Sequence, residues 1–429
     1  MRLANLKERL AKAHFLTGVM TLATATAAGQ VVMLLATPLL TRLYTPEQFG
    51  FLAMFMAIMA VVLVASSLRY ELAIPLPRNN GSARILLLVA VLINWVSAFL
   101  TFVVVFFFRT DIARLASFPQ LSNLLWLLPV GILLGGGYKI FNYWAVRQKR
   151  YTEIARTKLL QSVASVITQI AAGVAGLGTF GLILGQLIGQ TAGIIRLAAG
   201  VRLGAKSSIT SLRGIRMRVM LKRYSDFPKY DTPAALVDVL SVQLPNLLLV
   251  ALFSPAVAGF YVLAERVLSA PMALVGQAVG QVLFGSCREA LKTGSLDQLV
   301  AKIILALFTI IFIPCVIIFL WAGDVFATVF GEVWRESGNY ASWMILGLSF
   351  QFVYSPVSTV LMATDGQKVN LLIHVFMLVA KAGAVIAGYY AGSPLLAILG
   401  FSAVGVLGYS GAILVVWDRA RRYSAINRF

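Results

Sequence analysis

The stretch LYTPEQFGF at positions 43–51 returns in altered form 209 positions later, as LFSPAVAGF at positions 252–260. Leucine, proline, glycine and phenylalanine recur in register, and Tyr44 is matched by Phe253. A serine or threonine N-cap followed by proline begins many helices, which accounts for two of the matched positions. It does not account for the leucine, the aromatic residue, the glycine and the phenylalanine. The pair therefore predicts an internal repeat.

The composition indicates an integral membrane protein. Hydrophobic residues make up 59% of the 429 residues, charged residues make up 12%, and the mean hydropathy is +0.86. Soluble domains carry about 25% charged residues. The apolar stretches reach about 20 residues, which is the length of a membrane-spanning helix and not of a barrel strand. Two cysteines and two histidines, Cys287, Cys315, His14 and His374, form no pattern typical of a metal site or a disulfide framework.

The hydropathy pattern predicts twelve transmembrane helices. The predicted spans are 15–40, 51–68, 85–107, 122–145, 157–175, 178–195, 233–252, 256–284, 301–321, 339–362, 369–391 and 394–417. When residues within two positions of a span edge are counted with the adjoining connection, the termini and even-numbered connections hold 29 of the 36 lysines and arginines. The odd-numbered connections hold 4. Basic residues concentrate on the cytoplasmic side of a membrane. Both termini are therefore expected in the cytoplasm, with the basic start MRLANLKERLAKAH leading into a retained first helix.

The repeat and the charge pattern together predict the domain organisation. Residues 1–205 are expected to form an N-terminal six-helix bundle, 206–232 a basic cytoplasmic linker, and 233–429 a C-terminal six-helix bundle. Six spans return the chain to its starting side, so the two bundles should be related by a pseudo-two-fold axis along the membrane normal. Some transporters place their substrate between halves of this kind. The basic stretch 196–230 is compatible with binding to anionic lipid headgroups and equally with a solvated linker.

Five charged residues lie inside the predicted spans and are the first candidates for substrate handling. They are Lys139, Asp238, Glu265, Arg266 and Lys381. A charge at a lipid-facing helix centre costs about 3 kcal/mol on insertion scales, so each is expected to face the bundle interior or water. The alternatives are a structural ion pair or a side chain that extends to the interface. The basic excess predicts a central cationic cavity and an anionic substrate, for which guanidinium and phosphate are well matched.

Polar residues near these charges extend the candidate site. Asn142 and Gln243 offer amides that suit sugar hydroxyls, although such residues also hold membrane helices together. Arg69 and Glu71, in SLRYELAIPLP after the second span, are predicted to form a charged pair at a cytoplasmic vestibule.

Several stretches carry a resemblance to a known family. In the first half they are LLATPLLTRLYTPEQFGFLAMF and LRYELAIPLP. In the second half they are FPKYDTPAALVDVLSVQLPNLLLVALFSPAVAGFYVLAERVLSAPMALVGQAVGQVLF, VFGEVWRESGNYASWM and LMATDGQK. Over nearly its whole length the chain resembles bacterial oligosaccharide flippases of the Wzx type. These belong to the multidrug/oligosaccharidyl-lipid/polysaccharide (MOP) exporter superfamily, whose fold is twelve helices in two six-helix bundles around a central cavity.

The resemblance implies a function. The expected substrate is an undecaprenyl-diphosphate-linked oligosaccharide, moved by alternating access to the outer leaflet of the bacterial cytoplasmic (inner) membrane for surface polysaccharides such as the O-antigen of lipopolysaccharide. Glu265–Arg266 is similar to an aspartate–arginine pair of the peptidoglycan-precursor flippase, whose cavity arginines are considered to hold diphosphate. Membrane lipids and other polysaccharide assembly proteins are the expected partners. No cofactor and no nucleic acid are expected, and a proton or sodium gradient coupled through Asp238 or Glu265 is the expected energy source.

Two other functions are alternatives to this one. Multidrug exporters of the same superfamily tend to carry a coupling carboxylate in their first helix, and span 1 has none. A membrane-embedded polymerase, glycosyltransferase or ligase needs catalytic carboxylates on large loops outside the membrane. The sequence has no Asp-x-Asp pair, no phosphate-binding loop of the nucleotide-binding type, and short outward-facing loops, so an enzyme is not expected.

Overall fold

A computed structural model describes residues 2–115, 121–199, 214–364 and 366–426. Over these ranges the chain is helical apart from turns, and no β-strand occurs in them. Twelve long helices, of 14 to 42 residues, form the framework of the described chain. They are α1 (Arg2–Leu43), α2 (Pro46–Ala65), α3 (Asn80–Leu115), α4 (Leu127–Arg147), α5 (Tyr151–Val174), α6 (Gly178–Thr191), α7 (Thr232–Leu252), α8 (Pro255–Lys292), α9 (Leu296–Phe330), α10 (Arg335–Val357), α11 (Gln367–Tyr390) and α12 (Pro394–Ile426).

Each of the twelve predicted spans coincides with one of these helices, which confirms the all-α integral membrane fold. In the described part of the chain, eleven segments are long and apolar enough to cross a membrane. The helix outside that set is α5, which is 24 residues long but more polar. Its polar residues Lys158, Gln161 and Ser165 are three and four positions apart and so share one helix face.

Several helices are longer than the spans predicted for them. The third span was predicted to end at position 107, whereas α3 continues to Leu115, and α9 extends beyond both predicted edges of the ninth span. Hydropathy marks the segment that lies in hydrocarbon and does not mark the ends of a helix. Where the flanking residues have good helix propensity, the helix continues past that segment.

The chain divides into two compact units, and the first consists of Met1–Tyr44 and Met54–Leu240. In this unit α6 packs closely on α5 through Gly181, Gly185 and Gly189, which repeat every four residues. A methyl group on any of them would approach side-chain atoms of α5 to 2.5 Å. Small residues at this spacing let membrane helices approach each other. The Tyr44 hydroxyl donates a hydrogen bond to the Gln169 carbonyl oxygen at 2.6 Å and ties the end of α1 to α5.

Part of the predicted basic linker is folded onto the first unit. Positions 206–213 of that linker lie outside the described residues, whereas Gly214–Arg223 is a helix with apolar residues packed on α3 and α4. The Tyr70 hydroxyl donates to the Leu221 carbonyl oxygen at 3.1 Å. Burial raises the pKa of the Tyr70 phenol above its ordinary value, so the hydroxyl stays protonated and able to donate. Whether the basic stretch contacts lipid headgroups stays a prediction.

The second unit consists of Thr45–Ala53 and Ser241–Phe429. Its core lies among α8, α9, α10 and α12, where Val353 and Val416 are fully buried. Ser402 on α12 ties two of these helices together. Its hydroxyl donates to the Trp343 carbonyl oxygen at 2.6 Å and accepts from the Gly347 amide at 3.1 Å.

The two copies of the repeated stretch meet inside this second unit. A Cβ on Gly50 would lie 2.6 Å from the carbonyl carbon of Pro255, and closer still to its oxygen. A Cβ on Gly259 would lie 2.8 Å from the carbonyl carbon of Pro46. The contacts are therefore reciprocal, since the glycine of each copy lies against the proline of the other. Only glycine allows helix backbones to come this close.

Aromatic rings surround this crossing of α2 and α8. Trp334 is 1% exposed and packs edge to face with Phe49 at 5.1 Å and with Phe260 at 6.0 Å between ring centroids. Edge-to-face aromatic pairs contribute beyond their buried area, by about 0.5–1.5 kcal/mol each. Trp334 lies in the short 3₁₀ turn Glu332–Trp334 that joins α9 to α10, so the crossing is anchored to the rest of the second unit.

Candidate functional site

A cavity of about 410 Å³ lies inside the first unit, bordered by α2, α4, α5, α6 and the connection after α2. It brings together four of the residues predicted for the site: Arg69, Glu71, Lys139 and Asn142. Lys139 and Asn142 both come from α4, where a separation of three residues places them on one face.

Lys139 lies in this cavity without a direct carboxylate partner. Its Nζ donates to the Leu63 carbonyl oxygen of α2 at 3.3 Å. In the described ranges no carboxylate oxygen lies within 4 Å of this Nζ. An ammonium group has three donors, so one backbone contact leaves it able to bind an anion. Lys139 therefore lies in the interior of the first unit, and its role in substrate handling stays a prediction.

A second lysine faces the same cavity. The Nζ of Lys158 on α5 lies 5.4 Å from the centroid of the Tyr138 ring, in cation–π geometry. The Tyr138 hydroxyl shares a hydrogen bond with the Thr157 hydroxyl at 3.1 Å. Arg69, Lys139 and Lys158 outnumber the one acidic lining residue, Glu71, so the cavity is cationic.

Arg69 and Glu71 both line the cavity, but the ion pair predicted between them was wrong. The Nε of Arg69 lies 2.7 Å from Asp231 Oδ2, on a residue 162 positions away. Glu71 instead accepts a hydrogen bond from the Ser67 hydroxyl. Arg69 has a left-handed backbone with φ of 61° just before the short helix Tyr70–Ala73, and side chains two positions apart do not face each other on a helix.

Amide groups complete the lining. The Asn142 Oδ1 is buried, and no donor reaches it among the described residues. The Gln161 Nε2 donates to the Gln190 carbonyl oxygen at 2.7 Å, which leaves its Oε1 as an acceptor at the cavity. Buried polar atoms in proteins nearly always have partners, so an unpartnered acceptor in a cavity fits a ligand that donates, such as a sugar hydroxyl.

The second unit contains a separate charged cluster around Lys381 on α11. Its Nζ lies 3.4 Å from the Tyr409 hydroxyl, and 4.5 Å and 5.0 Å from the ring centroids of Phe401 and Tyr409. Glu265 on α8 interacts electrostatically with Lys381, although no carboxylate oxygen of the described chain lies within 4 Å of the ammonium group. Lys381 and Glu265, both predicted for the site, therefore belong to one cluster.

Arg266 follows Glu265 on α8 and is partly buried. Its guanidinium makes no hydrogen bond and no ion pair with any residue that the structure describes. One turn further along α8, Ser269 lines a small cavity of about 140 Å³ together with Gln351 of α10. Arg266 does not line that cavity, and it is a cation without an anionic partner among the described residues.

The predicted site residues on α7 are not brought into either cavity. Asp238 is exposed, and Gln243 accepts a hydrogen bond from the Asn246 Nδ2 at 3.3 Å. Neither side chain lines the 410 Å³ or the 140 Å³ cavity. Their role in substrate handling stays a prediction.

Four lining residues were not predicted from the sequence, namely Lys158, Tyr143, Gln161 and Gln190. Lys158 was counted with a cytoplasmic connection, because it lies one position after the predicted start of its span. A signal was present, since polar residues spaced three and four apart along α5 give one helix face that avoids lipid.

The fold and its apolar helices define a class, the multi-pass membrane proteins. Residues 39–339 match the model of a family described as polysaccharide biosynthesis proteins, and the chain belongs to this family. No curated protein matches the chain.

Solved structures share the fold at low sequence identity. The lipid II flippase MurJ, in an inward closed conformation, is similar with a TM-score of 0.67 and 14% identity, over 95% of this chain and 91% of that one. An inward-facing multidrug resistance MATE family transporter of the MOP superfamily is similar with a TM-score of 0.59 and 14% identity, over 94% of this chain and 95% of that one. A MOP superfamily transporter from Pyrococcus furiosus is similar with a TM-score of 0.53 and 15% identity, over 96% of both chains. The chain therefore shares its fold with these three proteins.

Proposed function

We propose that this protein is a flippase that moves an undecaprenyl-diphosphate-linked oligosaccharide from the cytoplasmic to the periplasmic leaflet of the bacterial inner membrane. Membership of a polysaccharide biosynthesis family supports the carbohydrate part of the substrate, and the fold supports transport. The product of such a step would serve assembly of a surface polysaccharide, such as the O-antigen of lipopolysaccharide.

The cationic cavity of the first unit is the observation that carries this proposal. Lys139 and Lys158, which have no carboxylate partner in the described chain, supply positive charge for a diphosphate. Asn142 supplies a buried acceptor that has no partner among the described residues and fits a sugar hydroxyl. Both halves of a sugar–diphosphate headgroup thus meet suitable chemistry within one cavity of about 410 Å³. A cavity for a lipophilic cation would be expected to carry the opposite charge.

The proposed cycle keeps the polar headgroup out of hydrocarbon. A polar group that loses its hydrogen bonds in an apolar medium costs several kcal/mol, and a sugar–diphosphate carries many such groups. The protein replaces water with its own donors and acceptors while the lipid tail stays in the bilayer. Alternating access then exposes the headgroup to the other side of the membrane.

Glu265 is the carboxylate that we propose for coupling to a proton or sodium gradient. It lies within electrostatic reach of Lys381 and four residues after Tyr261 on the same face of α8. Gain or loss of a cation at Glu265 would change the charge balance around Lys381. Asp238, the other predicted coupling residue, is exposed and forms no ion pair with a residue that the structure describes. A Glu265→Gln variant that flips with an imposed gradient as well as the wild type does would exclude this assignment.

The experiment that tests the function is flipping of a fluorescent undecaprenyl-diphosphate oligosaccharide in proteoliposomes. Lys139→Gln and Lys158→Gln remove charge from the cavity, whereas Lys302→Gln removes the same charge from an exposed position on α9. A hydrogen bond to a charged group is worth about 1.5–3 kcal/mol. The two cavity variants should therefore flip the lipid at least about tenfold more slowly than the wild type does. Lys302→Gln should flip at the wild-type rate, and Lys139→Arg should retain part of the activity.

Arg266 gives an independent test in the second unit. Arg266→Ala should lose flipping and Arg266→Lys should regain part of it, because lysine restores the charge without the fork geometry. Equal rates in the wild type and every cavity variant would refute the assignment of the site. A wild type that flips no lipid-linked glycan but exports cationic drugs would refute the proposed substrate.

A further inference from the structure

A second and larger cavity, of about 1040 Å³, opens at the end of the first unit where α4 joins α5. It is bordered by the connection between α2 and α3, by the α4–α5 turn and by the short helix Ile194–Ala199. It shares no lining residue with the 410 Å³ cavity. The function proposed above makes no use of it.

Arginine dominates the lining of this second cavity. Its described lining contains five arginines and one acidic residue, Glu153, an excess of four positive charges. The arginines are Arg78, Arg84, Arg147, Arg150 and Arg196. The charge asymmetry of the sequence places these connections on the cytoplasmic side. That asymmetry accounts for basic residues on a cytoplasmic surface, but it does not require them to surround a cavity.

Two of the arginines have structural partners that shape the cavity. The Arg147 Nη1 donates to the carbonyl oxygens of Ile74, Pro75 and Pro77 at 3.3, 3.1 and 2.7 Å, and so holds the connection after α2 against α4. The Nε of Arg196 lies 2.5 Å from the Glu153 carboxylate. The only acidic lining residue described is therefore already neutralised.

Two buried donors at this cavity have no acceptor in the described chain. They are the Nε1 of Trp144, a side chain that is 3% exposed, and the Nη1 of Arg150. A buried donor without an acceptor destabilises the fold, so such groups are rare unless a ligand or ordered water satisfies them. Here a neutral and a charged donor line the same cavity, which also has an excess of positive charge. The acceptor they fit is an anion with several oxygens.

We propose that this cavity binds the phosphate group of a lipid on the cytoplasmic side of the membrane. Guanidinium forks match phosphate oxygens in geometry and in charge, and the cytoplasmic leaflet is rich in anionic lipid. The phosphate comes either from an anionic phospholipid headgroup or from an undecaprenyl diphosphate before it enters the transport cavity. The site rests on the α4–α5 turn and on Trp144, so it stands whether or not the flippase assignment holds.

Native mass spectrometry of the full-length protein in detergent tests the site. The probes are phosphatidylglycerol, phosphatidylcholine, undecaprenyl diphosphate and inorganic pyrophosphate. Arg150→Gln removes the charged donor, and Trp144→Phe removes the neutral donor but keeps an aromatic ring. Lys149→Gln is the matched control, because it removes the same charge from the same turn and Lys149 does not line the cavity. Unchanged melting temperatures without a probe would show that the variants fold.

The expected result is that Arg150→Gln and Trp144→Phe bind phosphatidylglycerol or undecaprenyl diphosphate at least fivefold more weakly than the wild type. The affinity of Lys149→Gln should stay within twofold of the wild-type affinity. The affinity of Arg150→Lys should fall between those of the wild type and Arg150→Gln, since lysine keeps the charge and loses the guanidinium fork. Loss of phosphatidylglycerol binding identifies a phospholipid site, and loss confined to undecaprenyl diphosphate and pyrophosphate identifies a diphosphate site.

Two results would overturn the proposal. One is that, for each of the four probes, the wild type, Arg150→Gln and Trp144→Phe bind with the same affinity. The other is a Lys149→Gln variant weakened as much as Arg150→Gln, which would mean general electrostatic attraction without a built site. Flipping by the Lys139 variants reports on the other cavity, so failure here is distinct from failure of the proposed function.

Discussion

Replacing Gly50 with alanine should push apart the two helices that cross where the repeated stretches meet. The added Cβ would lie 2.6 Å from the carbonyl carbon and 2.8 Å from the Cα of Pro255. Carbon atoms in favourable contact are about 3.5–4.0 Å apart, so the helices must separate by about 1 Å. The obstacle is backbone, and no side chain can rotate away to make room.

The expected cost follows from overpacking. Extra methyl groups forced into a packed site cost about 1–3 kcal/mol, and a backbone obstacle favours the upper part of that range. Alanine in a helix gains about 1 kcal/mol over glycine in intrinsic propensity, which offsets part of the loss. Gly411→Ala on α12 isolates the propensity gain, because a Cβ there meets nothing within 4 Å. Gly50→Ala should therefore be less stable than Gly411→Ala by about 1–3 kcal/mol.

Thermal melting of the detergent-solubilised protein, followed by fluorescence-detected size exclusion, measures the difference. Gly259→Ala, the reciprocal position, should behave like Gly50→Ala, since its Cβ would lie 2.8 Å from the Pro46 carbonyl carbon. The double variant should lose less than the sum of the two single losses, because one methyl group has already separated the helices. A Gly50→Ala protein that melts at or above Gly411→Ala would refute the close approach of these backbones.

Three further predictions concern single contacts, and for each substitution the measurement is the change in melting temperature. Tyr44→Phe removes the hydroxyl that donates to Gln169 and should destabilise by about 1 kcal/mol. Asp231→Asn breaks the ion pair with Arg69, but both side chains are partly exposed, so the loss should stay below about 1 kcal/mol and shrink in high salt. Ser402→Ala removes two hydrogen bonds between α12 and α10 and should cost about 1–3 kcal/mol, more than either.

The helical framework was predictable because the bilayer imposes a length and an apolar character on every span. All twelve predicted spans have a helix in the structure. Helix ends were not predictable in this way, because beyond hydrocarbon the helix continues wherever propensity allows. The polar face of α5 lowers its hydropathy, and this helix is identified by its spacing and its basic neighbours.

The candidate site was predictable in its residue types but not in its pairings. Burying a charge in a membrane is unfavourable, so Lys139, Lys381 and Glu265 were recognisable from the sequence alone. The partner of Arg69 was not, since Asp231 lies 162 positions away and is brought close by the π-helical turn Phe227–Asp231. Contacts between distant positions depend on how the helices pack, and local periodicity carries no information about that.

The segment Thr45–Ala53 lies in the first half of the chain but belongs by its contacts to the second unit. On the ribosome it emerges about 200 residues before the helix that begins at Pro255, its packing partner. Until then the Pro255 backbone against which Gly50 packs has not been synthesised. The first half therefore completes its packing in the membrane only after the second half has been translated. The two halves expressed as separate polypeptides should accumulate only when both are made in the same cell.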